Sequence, residues 1–278
     1  MIEVSPSEFC VHLVSGRLQN PRTAGCSDSE WSGIQLARFA LPGADMNPDH
    51  IDFISAYCDR WCERCPLTHR CSVFTAMAAM TMCEDERAGL ELAFGRAPDD
   101  SGVVAPPPDW LRDLVNVEMS ADAADEFARR QDQRRERVEA TSIMQMAKAF
   151  MHLGHDWLMA NQHAGATEDS VVREAFEVAA HDLIFIRVKL HRALDGQDSR
   201  NGDDGSADDH PVQNDWNGSA KIALISLERS SAAWSVLASA SGQETPAVLA
   251  EQLKDLRAEV EREFPDAWSF VRPGFDAG

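Results

Sequence analysis

EDSVVREAFEVAAHDLIFIRVKLHRAL, residues 168–194, places Val172, Phe176, Ala179, Leu183, Ile186 and Leu190 at alternating intervals of three and four. That is the 3.6-residue period of a helix with one apolar stripe, and the run is far longer than a strand. It predicts a helix from about Glu168 to Leu194, with Gly196 just past its end. The same period recurs on both sides. Upstream, Ile143, Met146, Ala147, Phe150, Trp157 and Leu158 form one stripe. Downstream, a helix is expected over Trp216–Ser239, and another carries Leu249, Leu253, Leu256, Val260 and Phe264 before Pro265 stops it. Four such stripes bury one another most economically as a four-helix bundle. No βαβ alternation interrupts the pattern, so the expected fold class is all-α.

Working outward, the bundle region is read as 110–278, with residues 195–215 inside it as an acidic connector. The connector, DGQDSRNGDDGSADDHPVQND, holds seven acids and one arginine, a composition that reads as disordered. A linker is expected over 97–109, where Pro106, Pro107 and Pro108 are consecutive. Residues 1–96 read as an irregular N-terminal arm followed by a helix–loop–helix region. Its first helix is expected to start at Asn47-Pro48-Asp49 and to carry Ile51, Ile54, Cys58 and Trp61. Its second runs from about Ser72 to Phe94, with Gly95 as its stop.

The chain has 278 residues, 44% of them hydrophobic and 26% charged, enough for a sizeable core without disulfide staples. Its formal net charge is −20. A surface so acidic repels phosphate backbones and anionic lipid, which argues against nucleic-acid or membrane partners and leaves a protein partner as the expectation. No run of 18 apolar residues occurs, and the N-terminal MIEVSPSEF has neither the basic start nor the apolar middle of a signal peptide. A cytoplasmic protein is expected.

In a reducing compartment clustered cysteines read as metal ligands before they read as disulfides. Cys58, Cys62, Cys65 and Cys71 follow C-x3-C-x2-C-x5-C, so four thiols fall within fourteen residues. If the first helix reached Cys62, Cys58 and Cys62 would share one of its faces, and Pro66 would turn the chain so that Cys71 returns toward the others. Structural zinc sites take two Cys pairs a dozen or more residues apart, whereas closely spaced cysteines on one loop are the habit of iron–sulfur centres. The spacing therefore favours iron–sulfur, with Zn2+ as the alternative and unmetallated thiols as a third reading.

The piece Cys62-Glu63-Arg64-Cys65-Pro66-Leu67-Thr68-His69-Arg70-Cys71 resembles the end of the [4Fe-4S] loop of the endonuclease III and adenine glycosylase family, C-x6-C-x2-C-x5-C, including the proline after the third cysteine. The resemblance implies a [4Fe-4S] cluster held by Cys58, Cys62, Cys65 and Cys71. It covers about fourteen residues, with a first spacing of three here against six there, and it stops at the loop. Leu41-Pro42-Gly43 lacks the second glycine of a helix–hairpin–helix, having Asp45 instead, so no glycosylase activity is implied. The first three cysteines are also spaced as in radical S-adenosylmethionine enzymes. That chemistry needs an open iron and a βα barrel, and this chain supplies a fourth cysteine and helices.

Around the cluster, Arg60, Arg64 and Arg70 either offset a negative centre or pair with Asp59 and Glu63. His69 reads as a solvated loop residue, and Tyr57, Trp61 and Phe74 as core of a small subdomain or as a lid over the centre. Cys10, Cys26 and Cys83 have no spacing relation to the loop and read as small buried hydrophobes. In the bundle, His152, His155 and Asp156 precede Glu174, Glu177, His181 and Asp182, but no Glu-x-x-His pair of a di-iron site occurs there, so ion pairs and a satisfied histidine are expected. Arg129–Arg137 reads as a solvated helix face with internal pairs. The functional expectation is an iron–sulfur protein for electron transfer or redox/iron sensing, without catalytic residues. The alternative is a zinc-stabilised protein-interaction module.

Overall fold

The computed structural model describes residues 49–83, 121–201 and 210–276, together with positions 88 and 93. All of these lie in one compact unit, Met46–Gly278. They form six named helices: α1 (Ser72–Cys83), α2 (Ala121–Glu139), α3 (Ser142–Ala160), α4 (Ser170–Asn201), α5 (Asp215–Ser241) and α6 (Glu244–Glu263). One helical turn, Gln162–Gly165, and 3-10 turns at Ile54–Ala56, Cys62–Arg64, Thr68–Arg70 and Ala267–Ser269 complete the regular structure. The described part is all-α, with no strand among its elements. No helix in it is long and apolar enough to cross a membrane.

Helices α3, α4, α5 and α6 close a ring in which each packs against two neighbours. The stripes read from the sequence point inward: Phe150, Ile186, Leu190, Leu253 and Val260 are each at most 1% exposed. Aromatic edges lock the centre, with Trp234 lying edge-on to Phe150 at 6.3 Å and to Trp157 at 5.4 Å. Side chains cap the starts. The Thr141 hydroxyl accepts the Met144 N–H, Asp169 accepts the N–H groups of Val171 and Val172, and Asn214 accepts the N–H of Asn217 at 2.8 Å.

Two expectations are corrected. The helix expected to carry Ile51, Ile54, Cys58 and Trp61 is absent: the described part of that stretch is loop with a single 3-10 turn, Ile54–Ala56. Phe53 (φ 60°) and Arg60 (φ 59°) adopt the left-handed conformation, which no α-helix continues through. Its expected start, Asn47-Pro48, lies outside the described residues.

The second correction concerns α4, which runs through Gly196 to Asn201 instead of ending at Leu194. Helix α2 holds the extra turns: Arg134 meets Asp195 at 2.7 Å and Arg137 meets Asp198 at 2.7 Å. Arg200 also lies over the Trp216 ring. Residues 210–215 are fixed too, with the His210 imidazole Nδ1 accepting the N–H groups of Val212 and Gln213. Of the connector read as disordered, 195–201 is helix, 210–215 is hydrogen-bonded loop and cap, and 202–209 lies outside the described residues. The arm before Asp49, the linker 97–109, the Gly95 stop, Cys10 and Cys26 lie outside them as well.

Candidate metal centre

The cysteine loop is built from three tight turns. Asp59 accepts the Trp61 N–H at 3.1 Å, an Asx turn that carries the chain through left-handed Arg60. The Cys65 N–H then donates to the Cys62 carbonyl and the Cys71 N–H to the Thr68 carbonyl, each at 3.2 Å. A backbone bond from Ile51 N–H to the Arg70 carbonyl, 3.0 Å, ties the start of the loop to its end. Turns, with no shared helix face, set the four cysteines around one cavity.

Cys58, Cys62, Cys65 and Cys71 line one small cavity. Its other walls include Ile54, Trp61 and Phe74, and Phe275 from the far end of the described chain. All four thiols are free and half-buried. Backbone donors reach two of the sulfurs: Leu67 N–H to Cys65 Sγ at 3.4 Å and Phe74 N–H to Cys71 Sγ at 3.5 Å. The second donor belongs to the first turn of α1. Burial pushes the Cys58 thiol up against the opposing pull of Arg60 and Lys189. Burial also pushes Cys62 up, and charge on Cys58, Cys71, Glu63 and Cys65 would push it further. Negative charge around Cys62 therefore opposes its ionisation, and a positive centre beside it would reverse that opposition. Among the described residues no three His, Cys, Asp or Glu side chains are gathered as ligands of a metal ion.

The loop is keyed to α4 and α5 by residues around Trp61. The indole stacks on His181 at 4.5 Å and 9°, with the Arg64 guanidinium 3.9 Å and that of Arg229 5.2 Å from its ring centre. Arg64 pairs with Glu174 and, at 2.6 Å, with Glu177. Arg229 donates to Asp59 at 2.6 Å on the loop and, through two nitrogens at 2.6 and 2.9 Å, to Asp182 on α4. Asp182 is fully buried and also faces His181 Nδ1 at 3.0 Å. Burial raises the Asp59 carboxyl, but the hydrogen bonds and charge of Arg229 and the Trp61 N–H outweigh it and hold the group below its usual range. Lys189 donates to the Ala56 carbonyl at 2.8 Å, and burial brings its pKa down to about 8. Tyr57 bonds Asp215 at 3.1 Å and packs on Phe270 at 4.7 Å. At Gly218 a Cβ would lie 2.4 Å from the tyrosine ring, so that position has room only for hydrogen.

All four cysteines singled out in the sequence thus share one cavity. Glu174, Glu177, His181 and Asp182 are taken up in ion pairs and stacking, in line with the expectation for them, while His155 on α3 faces Asp156 at 3.5 Å. His69 is exposed, and Cys83 does not line the cavity. In the basic run, Arg129 and Arg130 pair internally with Glu126, but Arg134 and Arg137 reach across to α4. Arg64 and Asp59 pair with the bundle in place of each other's loop neighbours. Sequence reasoning missed Arg229, Lys189 and Phe275. Arg229 alone leaves a trace, as a base within the heavily buried α5. Compared with known protein families, curated proteins and solved structures, the chain matches none of them.

Proposed function

We propose that Cys58, Cys62, Cys65 and Cys71 hold a [4Fe-4S] cluster and that the protein serves one-electron transfer or redox/iron sensing. The observation that carries this reading is that four free cysteines from one fourteen-residue loop line a single, largely apolar-walled cavity. Donor chemistry fits: thiolate is the ligand of iron–sulfur centres, and the N–H groups of Leu67 and Phe74 sit where hydrogen bonds to ligand sulfur lower electron density and raise a potential. When bound, such a cluster takes up and gives back one electron. The chain's own residues hold the site in place. Trp61 and Phe74 wall the cavity beside the cysteines, and the Asp59–Arg229–Asp182 chain anchors the segment between Cys58 and Cys62 to the bundle.

An electron-paramagnetic-resonance redox titration of anaerobically purified protein tests the reading. A reversible one-electron step that is lost in Cys62→Ser is expected. A protein that cycles no electron and whose loop is ordered by zinc would reverse it in favour of an interaction module.

A further inference from the structure

The cavity wall that the loop does not supply comes from the other end of the molecule. The backbone at Gly274 (φ 78°) presses on the loop so closely that a Cβ there would lie 2.6 Å from Ile51 Cδ1 and 3.4 Å from both Ile54 Cδ1 and Leu67 Cδ1. The next residue, Phe275, lines the cavity beside the four cysteines. A compact latch holds this segment. The Lys221 ammonium on α5 donates to the Phe270 carbonyl at 2.5 Å and to the Asp276 carboxylate at 2.6 Å. Arg272 closes back on Asp276, with its backbone N–H at 3.0 Å and its guanidinium at 2.8 and 3.0 Å. The same guanidinium lies 5.1 Å from the centre of the Phe275 ring. Upstream, Phe270 packs on Tyr57 next to Cys58, and the Val271 N–H donates to the Gln213 side chain at 3.0 Å. Lys221 and Asp276 are only 11% and 22% exposed, so this latch is far less screened than an ordinary surface pair.

We propose that Phe270–Asp276 is the seal of the cysteine site: Phe275 is its inner wall, and the Lys221–Asp276–Arg272 group fastens it and sets how fast small polar solutes reach the thiols. The proposal rests on the reading of this cavity as the metal centre. It adds a positioning role for residues about two hundred positions from the ligands. Opening the seal requires that the latch part, that Gly274 lift from Ile51 and that Phe275 leave the cavity, while the ring of α3–α6 stays packed. It is therefore a local opening, whose rate and population are independent of global unfolding.

Thiol access in the full-length protein, reduced and stripped of metal, gives a readout that does not depend on which metal binds. Alkylation by iodoacetamide, followed peptide by peptide with mass spectrometry, yields a rate for each of Cys58, Cys62, Cys65 and Cys71, with Cys83 as the internal reference. Phe275→Ala removes the wall, whereas Asp276→Asn leaves it and weakens the latch. In both variants the four site cysteines are expected to react about tenfold faster or more, a one-decade shift in a local opening equilibrium, with Cys83 unchanged. Phe275→Leu, which keeps an apolar wall, is expected to return most of the protection. In metal-loaded protein, the same two variants are expected to release metal to a chelator faster in the same order. Unchanged rates at the four cysteines in both variants would overturn the seal, as would an equal acceleration of Cys83, since that would be global loosening. Absence of iron from the purified protein would count against the cluster and leave the thiol result standing.

Discussion

Asp182 has no exposed surface, and its charge is balanced by two nitrogens of Arg229. Removing one member of such a group strands the other in a low-dielectric site. Arg229→Met is therefore expected to lower stability by on the order of 3 kcal/mol, measured by urea unfolding, and to free the Trp61 loop in the same variant. Crowding at Gly218 makes a sharper prediction. The added methyl of Gly218→Ala meets the Tyr57 ring and the Phe270 Cζ at 2.8 Å, so a loss of about 1–3 kcal/mol from overpacking is expected in the same assay. Lys189 links stability to pH. Its pKa falls from 10.5 to about 8 on folding, first through burial and then through the charge of Arg192, so between those values the unfolded chain binds more protons than the folded one. Its contribution to stability therefore rises as pH increases from about 8 to 10.5. Tyr57, raised from 10 to about 12 by burial and by Asp215, acts with the opposite sign above pH 10. The difference between the stability curves of wild type and Lys189→Met isolates the lysine: wild-type stability minus that of the variant is expected to rise with pH through that window, and a constant difference contradicts the assignment.

At the scale of elements, the long helices were legible because each carries an uninterrupted stripe, as in Val172–Leu190, and burial against neighbours rewards that period directly. Their ends were less legible. Gly196 reads as a stop on local propensity, yet the pairs Arg134–Asp195 and Arg137–Asp198 carry α4 two turns further, a tertiary effect that local signals do not contain. The cysteine loop shows the opposite failure. Ile51, Ile54, Cys58 and Trp61 have helical spacing without forming a helix, since Ile54, Cys58 and Trp61 line one cavity from a series of turns, and the left-handed residues Phe53 and Arg60 carry no glycine to announce themselves. The four ligand candidates were legible from spacing alone, but their surroundings were not, since Arg229, Lys189 and Phe275 lie 131 or more positions beyond Cys58. The extended end of α4 carries its own prediction. Asp195→Ala combined with Asp198→Ala is expected to raise amide hydrogen exchange over residues 195–201 while lowering global stability by less than about 1 kcal/mol, since both pairs are partly exposed.

For the whole molecule, the ring of α3–α6 has its own core, and the cysteine loop attaches to it through Arg64, Asp59, Ala56 and Tyr57 on one side and the Gly274–Phe275 segment on the other. On the proposed reading the ring supplies the fold and the loop would hold the cluster. Substituting serine at all four ligand positions is expected to leave the cooperative melting of the helices in place, followed by far-ultraviolet circular dichroism, while abolishing visible absorption. The most direct measurement is iron, acid-labile sulfide and zinc analysis on one anaerobically purified sample alongside its absorption spectrum. The account predicts about four irons and four sulfides per chain with a broad charge-transfer band. One zinc per chain, no sulfide and no colour would contradict it.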